Sequence, residues 1–295
     1  MASMRQGVED FLRRSPKAVL IEVIEAKGST PREKGAWMLV SPDAIFGTIG
    51  GGQLEFLAIA RAREVLGGAL HPGATPYGHN PAFDPSPLLG EGRETVLDIP
   101  LGPEIGQCCG GRVELDIRRL DADLRDRLAA VALAEDAKSA QVCLFGGGHV
   151  GHALAAALSL LPLKVIVVET RADALGGMPE AVETRLTPVP EEAVRTAPAG
   201  SAFVVLTHDH ALDFLIVAEA LRRPDAAYIG MIGSKTKKAT FRNWFLKTAG
   251  GTEEEFARLT SPIGGEAVKD KRPAVIAALA AAEIMTALAR SRSAY

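Results

Sequence analysis

The length, composition and charge of the chain narrow the classes of protein to which it can belong. Its 295 residues favour two domains, and its 47% hydrophobic and 23% charged residues are typical of a globular protein with a sizeable core. The net charge of −3 argues against nucleic acid and against an anionic membrane as partners.

The chain ends and the cysteines predict a cytoplasmic protein. Residues 1–14 are polar and lack the apolar stretch of a signal peptide. No apolar run reaches membrane-spanning length in this reading. The longest, 273–290, is Ala-rich and carries Glu283, so we expect a buried or interface helix, and from it a homodimer. Three cysteines, two of them adjacent, do not make a disulfide framework and indicate a reducing compartment.

The first part of the chain, residues 1–138, predicts an α+β domain with mostly antiparallel strands. Alternating apolar residues predict strands, and apolar residues at the helical period predict helices. The segment 71–92 is rich in Pro, Gly and Asn and predicts a long loop. In chain order we expect a helix at 7–14, strands at 18–25, 37–40 and 45–49, a helix at 54–66, strands at 95–99 and 113–117, and a helix at 120–137.

The second part, residues 139–295, has a different pattern. Continuous apolar runs alternate with helical segments, which predicts a doubly wound parallel sheet of the Rossmann type. The predicted strands are 142–145, 165–168, 202–206 and 227–229.

A glycine motif follows the first of these strands. Gly146, Gly148 and Gly151 form a G-x-G-x-x-G pattern at a helix that starts near His149, and the next strand ends at Glu169. The first glycine permits a tight turn, the second lets a pyrophosphate approach the backbone, and the third allows close helix–strand packing. Phosphates then lie at the helix N-terminus, and the acid takes a ribose hydroxyl. The alternative is a tight turn that binds nothing.

Two adjacent cysteines lie between glycines ahead of a predicted strand. Exposed thiols near backbone N–H groups can have a lowered pKa, and they act as nucleophiles or as ligands of a soft metal. Cys108 and Cys109 are therefore candidates for catalysis and for metal binding. The alternative is that they are inert packing residues. Cys143 lies within a predicted strand and is expected in the core.

A second glycine loop, 47–52, precedes the helix at 54–66. Gly50, Gly51 and Gly52 can present successive N–H groups to a phosphate, and Glu55 lies in the first turn of that helix. The alternative role of the acid is a favourable interaction with the helix dipole. The turn at 28–32 presents a hydroxyl and a guanidinium that can face an anion.

Two further segments follow strands of the predicted parallel sheet. His208, Asp209 and His210 can coordinate a metal or transfer protons at the carboxyl end of the strand 202–206. Asp209 can instead cap the next helix. The other segment begins near Gly233, after the strand 227–229.

In that segment, Ser234 is a good N-cap, and Lys235 with the basic residues that follow it can bind an anion. The alternative is a capped, basic helix face that is exposed to solvent.

Together these segments resemble the XdhC/CoxI family, and the resemblance covers nearly the whole chain in the right order. The matching segments are GSTPR at 28–32, GTIGGG at 47–52 with Glu55, QCCGG at 107–111, LFGGGHVG at 144–151, THDH at 207–210 with Asp213, IGMIGSK at 229–235 and SPIG at 261–264.

The resemblance implies an XdhC/CoxI domain followed by a Rossmann domain. It also implies an accessory protein that binds the molybdenum cofactor (molybdopterin), supports its sulfuration with a cysteine desulfurase, and delivers it to the molybdenum subunit of xanthine dehydrogenase. A cofactor with a phosphate and a dithiolene-bound metal suits glycine cradles and thiolates.

Glu169 is a departure, because aspartate is expected in many relatives; NAD is therefore not established as a ligand. The competing hypothesis is an NAD(P)-dependent oxidoreductase with Cys108 or His208 near the hydride. A structural partner protein without a ligand fits less well with three separate glycine loops.

Overall fold

The chain divides into two compact units. The computed structural model describes residues 4–67, 95–103 and 110–293. One unit is Met4–Ala134 and the other begins at Glu135. The division falls within a helix that ends at Lys138, and the predicted boundary after residue 138 stays a prediction.

The N-terminal unit is a sheet with helices on both faces. Its described elements are α1 (Met4–Arg14), β1 (Val19–Lys27), β2 (Trp37–Val40), β3 (Ile45–Gly47), α2 (Gly52–Val65), β4 (Thr95–Pro100), β5 (Arg112–Arg119) and α3 (Ala122–Lys138). The strands lie in the order β3-β2-β1-β5-β4, and each neighbouring pair is antiparallel, as predicted. The strand predicted to reach residue 49 ends at Gly47. The predicted loop at 71–92 lies outside the described residues.

Alternation along β1 explains how this sheet is covered. Successive side chains point to opposite faces, so Ile21 shares a buried cluster with Leu54 of α2. Leu20 instead shares a cluster with Phe11 of α1 and Leu128 of α3. The apolar alternation in the sequence therefore specifies both layers.

The C-terminal unit is built on a parallel sheet. Its described elements are β6 (Ala140–Phe145), α4 (His149–Leu158), β7 (Leu163–Glu169), a 3-10 turn (Ala172–Leu175), β8 (Glu183–Leu186), α5 (Glu191–Thr196), β9 (Ala202–Val205), α6 (His210–Leu221), β10 (Tyr228–Met231), α7 (Lys235–Lys247), α8 (Glu253–Ala257), β11 (Leu259–Thr260) and α9 (Pro273–Ser293).

The strand order is that of a Rossmann domain. The strands lie as β11-β10-β9-β6-β7-β8, and all neighbouring pairs are parallel. The chain starts in the middle at β6, proceeds outward to β8, and crosses back to β9, so the strand order reverses between β6 and β9. Ligands of doubly wound sheets bind at the carboxyl ends of the strands beside such a reversal.

Two strands were missing from the sequence prediction, which proposed four. The edge strand β8 is mostly exposed and polar, and β11 has two residues, so neither carries the apolar run that marks a buried strand. The four predicted strands form the centre of the sheet, where both faces are covered. Leu144 packs with Leu154 of α4 and Ile284 of α9, whereas Phe145 packs on the opposite face with Ile216 of α6.

Helix α9 covers one face of the parallel sheet. Residues 273–291 reach a mean hydropathy of 1.5, enough by length and composition to cross a membrane, so the expectation that no apolar run has that length is wrong here. Core helices of soluble proteins meet the same criterion. The buried residues form one stripe at the helical period: Ala277, Ala280, Ala281, Ile284 and Leu288.

The apolar stripe of α9 is thus buried inside its own unit. It therefore does not support the homodimer that was inferred from it. Glu283, which marked this run in the sequence, has a partner within the same unit, because the Tyr228 hydroxyl of β10 donates a hydrogen bond to it. Burial is the main cause that raises the pKa of Tyr228, and the hydrogen bond to Glu283 is the second. The Tyr228 hydroxyl therefore stays protonated in this contact.

Candidate functional site

The glycines after β6 are not all required by the fold for the same reason, and one of them is not required at all. Gly146 has φ 120°, and a Cβ there would lie 2.7 Å from the carbonyl oxygen of Leu206. A Cβ on Gly151 would lie 2.1 Å from the carbonyl oxygen of Gly146. The fold itself therefore requires these two glycines. Gly148 is exposed, with φ −76°, and a Cβ there would meet nothing within 4 Å. Nothing inside the protein requires glycine at this position.

The space beside Gly148 lies at the start of α4. Gly148 is the N-cap and has no side chain to accept a hydrogen bond from the first turn, and His149, the first residue of the helix, is exposed. The first N–H groups of a helix and its dipole favour an anion. The arrangement therefore leaves the backbone at Gly148 exposed, and a phosphate contact there stays a prediction of the glycine motif.

Glu169 ends β7 next to the glycine loop, and its carboxylate is occupied. Oε2 accepts a hydrogen bond from Gly147 N at 2.9 Å and lies 3.5 Å from Arg171 Nη2. Oε1 accepts from Thr170 N at 2.8 Å, from Thr170 Oγ1 at 3.2 Å and from Arg171 N at 3.1 Å. The side chain is 5% exposed. The predicted ribose acceptor thus holds the loop from within.

The pKa of Glu169 reflects two opposing effects. Burial disfavours its charged form, but the hydrogen bonds from Gly147, Thr170 and Arg171 together outweigh burial and hold the pKa of the carboxyl below its ordinary value. Glu169 therefore stays charged and accepts the hydrogen bonds that the N–H groups of the turn donate.

The segment 207–210 forms the start of α6. Asp209 is the N-cap, and its side chain accepts from Ala211 N at 2.8 Å and from Leu212 N at 3.3 Å. Asp209 therefore takes the capping role that the sequence left open, and a catalytic role for Asp209, His208 and His210 stays a prediction. His208 and His210 are exposed. Across the described residues, no group of three or more His, Cys, Asp or Glu side chains is arranged to hold a metal ion. The structure therefore assigns no metal to this segment.

A buried ion pair links helices α6 and α7, which follow β9 and β10. Asp213 is fully buried, its Oδ2 pairs with the ammonium group of Lys237, and its Oδ1 accepts from Thr207 Oγ1 at 2.6 Å and from Thr207 N at 3.1 Å. Lys237, whose side chain is 8% exposed, also donates to the carbonyl oxygen of Ile232 at 3.1 Å. The sequence associated Asp213 with the segment 207–210 and Lys237 with the basic residues after Ser234, but did not predict their pairing. This pairing fixes the carboxyl edge of the sheet.

The segment after β10 follows its capping alternative. Ser234 is the N-cap of α7 and accepts from Lys237 N at 3.2 Å. Lys235 is 80% exposed and pairs with Glu266 at 2.9 Å. A Cβ on Gly233 would collide with the flexible side chain of Lys237 at 2.6 Å. Gly233, Ser234 and Lys235 thus have local structural roles, and a cofactor contact for them stays a prediction.

In the N-terminal unit, Glu55 occupies the predicted phosphate cradle. Its Oε1 accepts from Ile49 N at 3.0 Å, from Gly51 N at 2.9 Å and from the hydroxyl of Thr48. Burial disfavours the charged carboxyl, but the hydrogen bonds from Thr48, Gly51, Ile49 and Gly50 outweigh burial and lower its pKa. A phosphate at this loop would have to displace the carboxylate.

Three sequence motifs meet at one end of the N-terminal sheet. A Cβ on Gly50 would lie 2.5 Å from the ring of Pro31, so the loop at 47–52 packs on the turn at 28–32. A Cβ on Gly111 would lie 2.2 Å from the carbonyl oxygen of Ser29. The residues immediately before Gly110, including Cys108 and Cys109, lie outside the described residues, so their roles stay predictions.

A cavity of about 790 Å³ lies elsewhere in the C-terminal unit. Residues at or just before the amino ends of β6, β7 and β9 line it, including Gln141, Lys164 and Gly200. It therefore opens at the edge of the sheet opposite the glycine loop. Because ligands of doubly wound sheets bind at the carboxyl ends of strands, the glycine loop is the better candidate.

Each of the two units contains residues that match a known protein family. Residues 142–284 match the XdhC Rossmann domain, and residues 11–71 match the XdhC and CoxI family. The chain belongs to the XdhC/CoxI family.

One relative by sequence and one solved structure are similar to this chain. The uncharacterized protein YqeB of Escherichia coli strain K12 is 26% identical over 275 residues, which are 90% of this chain but 42% of that protein. A Bacillus halodurans structure described as a xanthine dehydrogenase, at 2.80 Å resolution, matches with a TM-score of 0.74 and 18% identity. The match covers 99% of this chain and 97% of that chain and shows a shared fold.

The Glu55 cradle predicts a pH-dependent contribution to stability. Glu55→Gln should lower the free energy of unfolding by about 1–2 kcal/mol at pH 7, because three donors lose a charged acceptor. Folding lowers the pKa of Glu55 from its ordinary 4.5, so its contribution is complete above pH 4.5 and declines as the pH falls through the lower, folded-state value. Urea unfolding at pH 7 and at pH 3.5 measures the difference.

Glu64→Gln is the control for Glu55→Gln. Glu64 lies on the same helix but forms a partly exposed pair with Arg61, which contributes little. A difference between wild type and Glu55→Gln that grows on acidification would contradict this account.

Separation of the buried ion pair should be costly. Lys237→Met or Asp213→Asn alone should lower the free energy of unfolding by about 3–5 kcal/mol, because each leaves a buried group without its partner. The double variant should lose less than the sum of the two. Lys235→Met, which removes an exposed pair, is the control and should have little effect. Equal losses for Lys237→Met and Lys235→Met in urea unfolding would exclude a structural role for the pair.

Proposed function

We propose that this protein is an accessory protein that binds the molybdenum cofactor, supports its sulfuration and delivers it to apo-xanthine dehydrogenase. Family membership supports a role in the maturation of xanthine dehydrogenase. Cofactor binding rests chiefly on one observation, the open backbone at Gly148 beside the uncapped first turn of α4.

The residues of the C-terminal unit fit the phosphate of the cofactor. The first N–H groups of α4 supply hydrogen-bond donors, and Gly148 permits close approach. When bound, the cofactor would supply a molybdenum centre held by its own dithiolene sulfurs. Cys108 and Cys109 are the proposed thiols for sulfuration, with a cysteine desulfurase as the proposed sulfur source.

The competing function, an NAD(P)-dependent oxidoreductase, has less support. NAD is usually held by an acid that accepts hydrogen bonds from its ribose diol. Here Glu169 already accepts hydrogen bonds from Gly147, Thr170 and Arg171. A ribose diol would have to replace some of these donors. Location in the cytoplasm remains a part of the proposal that rests on sequence alone. Assembly as a homodimer remains a proposal that α9 does not support.

The test of cofactor binding is Gly148→Val. The variant should fold normally, because its φ suits any residue and the added side chain meets open space, but it should lose at least about tenfold in affinity for molybdopterin by blocking the phosphate. Binding is measured by the fluorescence of the pterin after oxidation of the retained cofactor. The control, Gly176→Val, places the same side chain at another exposed glycine with φ −62°. Equal retention of cofactor by Gly148→Val and wild type would refute this site.

Sulfuration is tested with Cys108→Ser combined with Cys109→Ser. A hydroxyl cannot carry persulfide sulfur and is a poor ligand for a soft metal. Xanthine dehydrogenase matured with this variant should contain pterin, lack the terminal sulfido ligand and be inactive. Cys143→Ala removes a buried thiol of β6 as the control and should leave sulfuration intact. Normal specific activity with the double variant would remove both cysteines from the mechanism.

A further inference from the structure

A groove on the outer surface of helices α5, α6 and α7 exposes apolar side chains. It has a volume of about 530 Å³, and these helices cover the face of the parallel sheet opposite α4 and α9. Val189, just before α5, and Leu215 of α6 line the groove and are 45% and 49% exposed. Trp244 of α7 also lines it, and its ring contacts those of Phe214 and Phe241. An exposed apolar groove with a fixed aromatic side chain is typical of a surface that another molecule covers.

Charged side chains of both signs line the same groove. Arg195 of α5 and Arg222 of α6 are each about half exposed, and both approach Glu219, at 3.5 Å and 3.9 Å. Glu191, in the first turn of α5, is a second acid. Because such long contacts between partly exposed groups contribute little to stability, these charges can take closer partners on another molecule. The groove thus combines apolar contact with two acids and two guanidinium groups.

The balance of charge indicates what covers the groove. A strongly acidic or strongly basic partner would bring like charges together at two of these four positions. A second copy of the same surface, related by a two-fold axis, can instead bring the arginines of each copy to the acids of the other. Symmetric dimer interfaces have this self-complementary character, with apolar residues at the centre and charged residues at the rim.

We propose that the protein forms a two-fold symmetric homodimer through this groove, in which the apolar residues of two copies pack together and the arginines of each copy pair with the acids of the other. The surface belongs to α5, α6 and α7, so it does not need the apolar stripe of α9, which is buried within its own unit. The inference rests on the proposed function only for the expectation of a homodimer, and it is independent of cofactor binding.

The first experiment measures the mass of the protein by light scattering and sedimentation velocity between about 1 and 100 µM. Wild type should become a dimer over this range. Leu215→Glu should weaken dimerisation at least about tenfold, because it removes apolar contact and places two like charges in one interface. Leu160→Glu is the matched control and should dimerise like wild type. Leu160 is also exposed but follows α4, on the other face of the sheet.

The second experiment tests the two-fold pairing of charges by mixing two variants. One carries Arg195→Glu and Arg222→Glu, and the other carries Glu191→Arg and Glu219→Arg. Each alone should be monomeric, because it brings only like charges together, whereas an equimolar mixture should form a heterodimer. Circular dichroism and thermal unfolding check that each variant is folded. Leu215→Glu, a single surface change, tests the same interface if a double variant does not fold.

Three results would overturn the inference. They are a wild type that stays monomeric at about 100 µM, equal dimerisation of Leu215→Glu and Leu160→Glu, and a mixture of folded charge variants that does not associate. The first would leave a different protein or a small ligand as the occupant of the groove. Retention of molybdopterin separates this inference from the proposed function. If Leu215→Glu is monomeric and retains molybdopterin like wild type, both stand, whereas a wild-type dimer that does not bind molybdopterin contradicts the proposed function alone.

Discussion

In both units, a carboxylate accepts the backbone hydrogen bonds of a glycine-rich loop. Such loops turn successive N–H groups toward one point, and N–H groups that are shielded from water need an acceptor. Glu55 supplies that acceptor to the loop at 47–52, and Glu169 supplies it to the turn after β6. Both acids have a lowered pKa for the same reason, since these donors favour the charged form more than burial opposes it. The conformation of each loop therefore depends on one anion within the protein.

The internal anions also determine where an external anion can bind. At the loop before α2, the donors of Ile49 and Gly51 already point at Glu55, so a phosphate would compete with a carboxylate tethered nearby. At the turn after β6, Glu169 accepts from Gly147, whereas the backbone at Gly148 faces open space. The two glycine loops look equivalent in the sequence, but the second retains the clearer capacity for a ligand.

Much of the fold could be predicted from the sequence, because burial on one or both faces leaves a periodic record. The continuous apolar runs predicted the four central strands of the parallel sheet, and apolar alternation predicted the mostly antiparallel strands of the N-terminal unit. That helices cover both faces of the N-terminal sheet was seen only in the structure. The strands β8 and β11 were missed because an exposed edge and a two-residue pairing need no apolar run. The stripe of α9 was recognised as buried or interfacial, but its partner could not be known, because apolar periodicity does not say which surface it meets.

The candidate site was predictable in its types of residue but not in their partners. Asp209 and Ser234 stand at helix starts, where a cap and a ligand contact have the same sequence signal, and here both act as caps. The pairing of Asp213 with Lys237 joins positions 24 residues apart on two helices, a contact that only the fold specifies.

The contact of Arg171 with Glu169 was not predicted, because the glycine motif draws attention to the acid as a ligand contact, whereas that acid is turned inward. The proposed delivery of a cofactor requires that the protein also release it. Backbone donors near solvent, as at the proposed site before α4, would bind an anion chiefly through charge, which salt and a competing partner surface weaken readily. That balance suits transfer better than permanent retention.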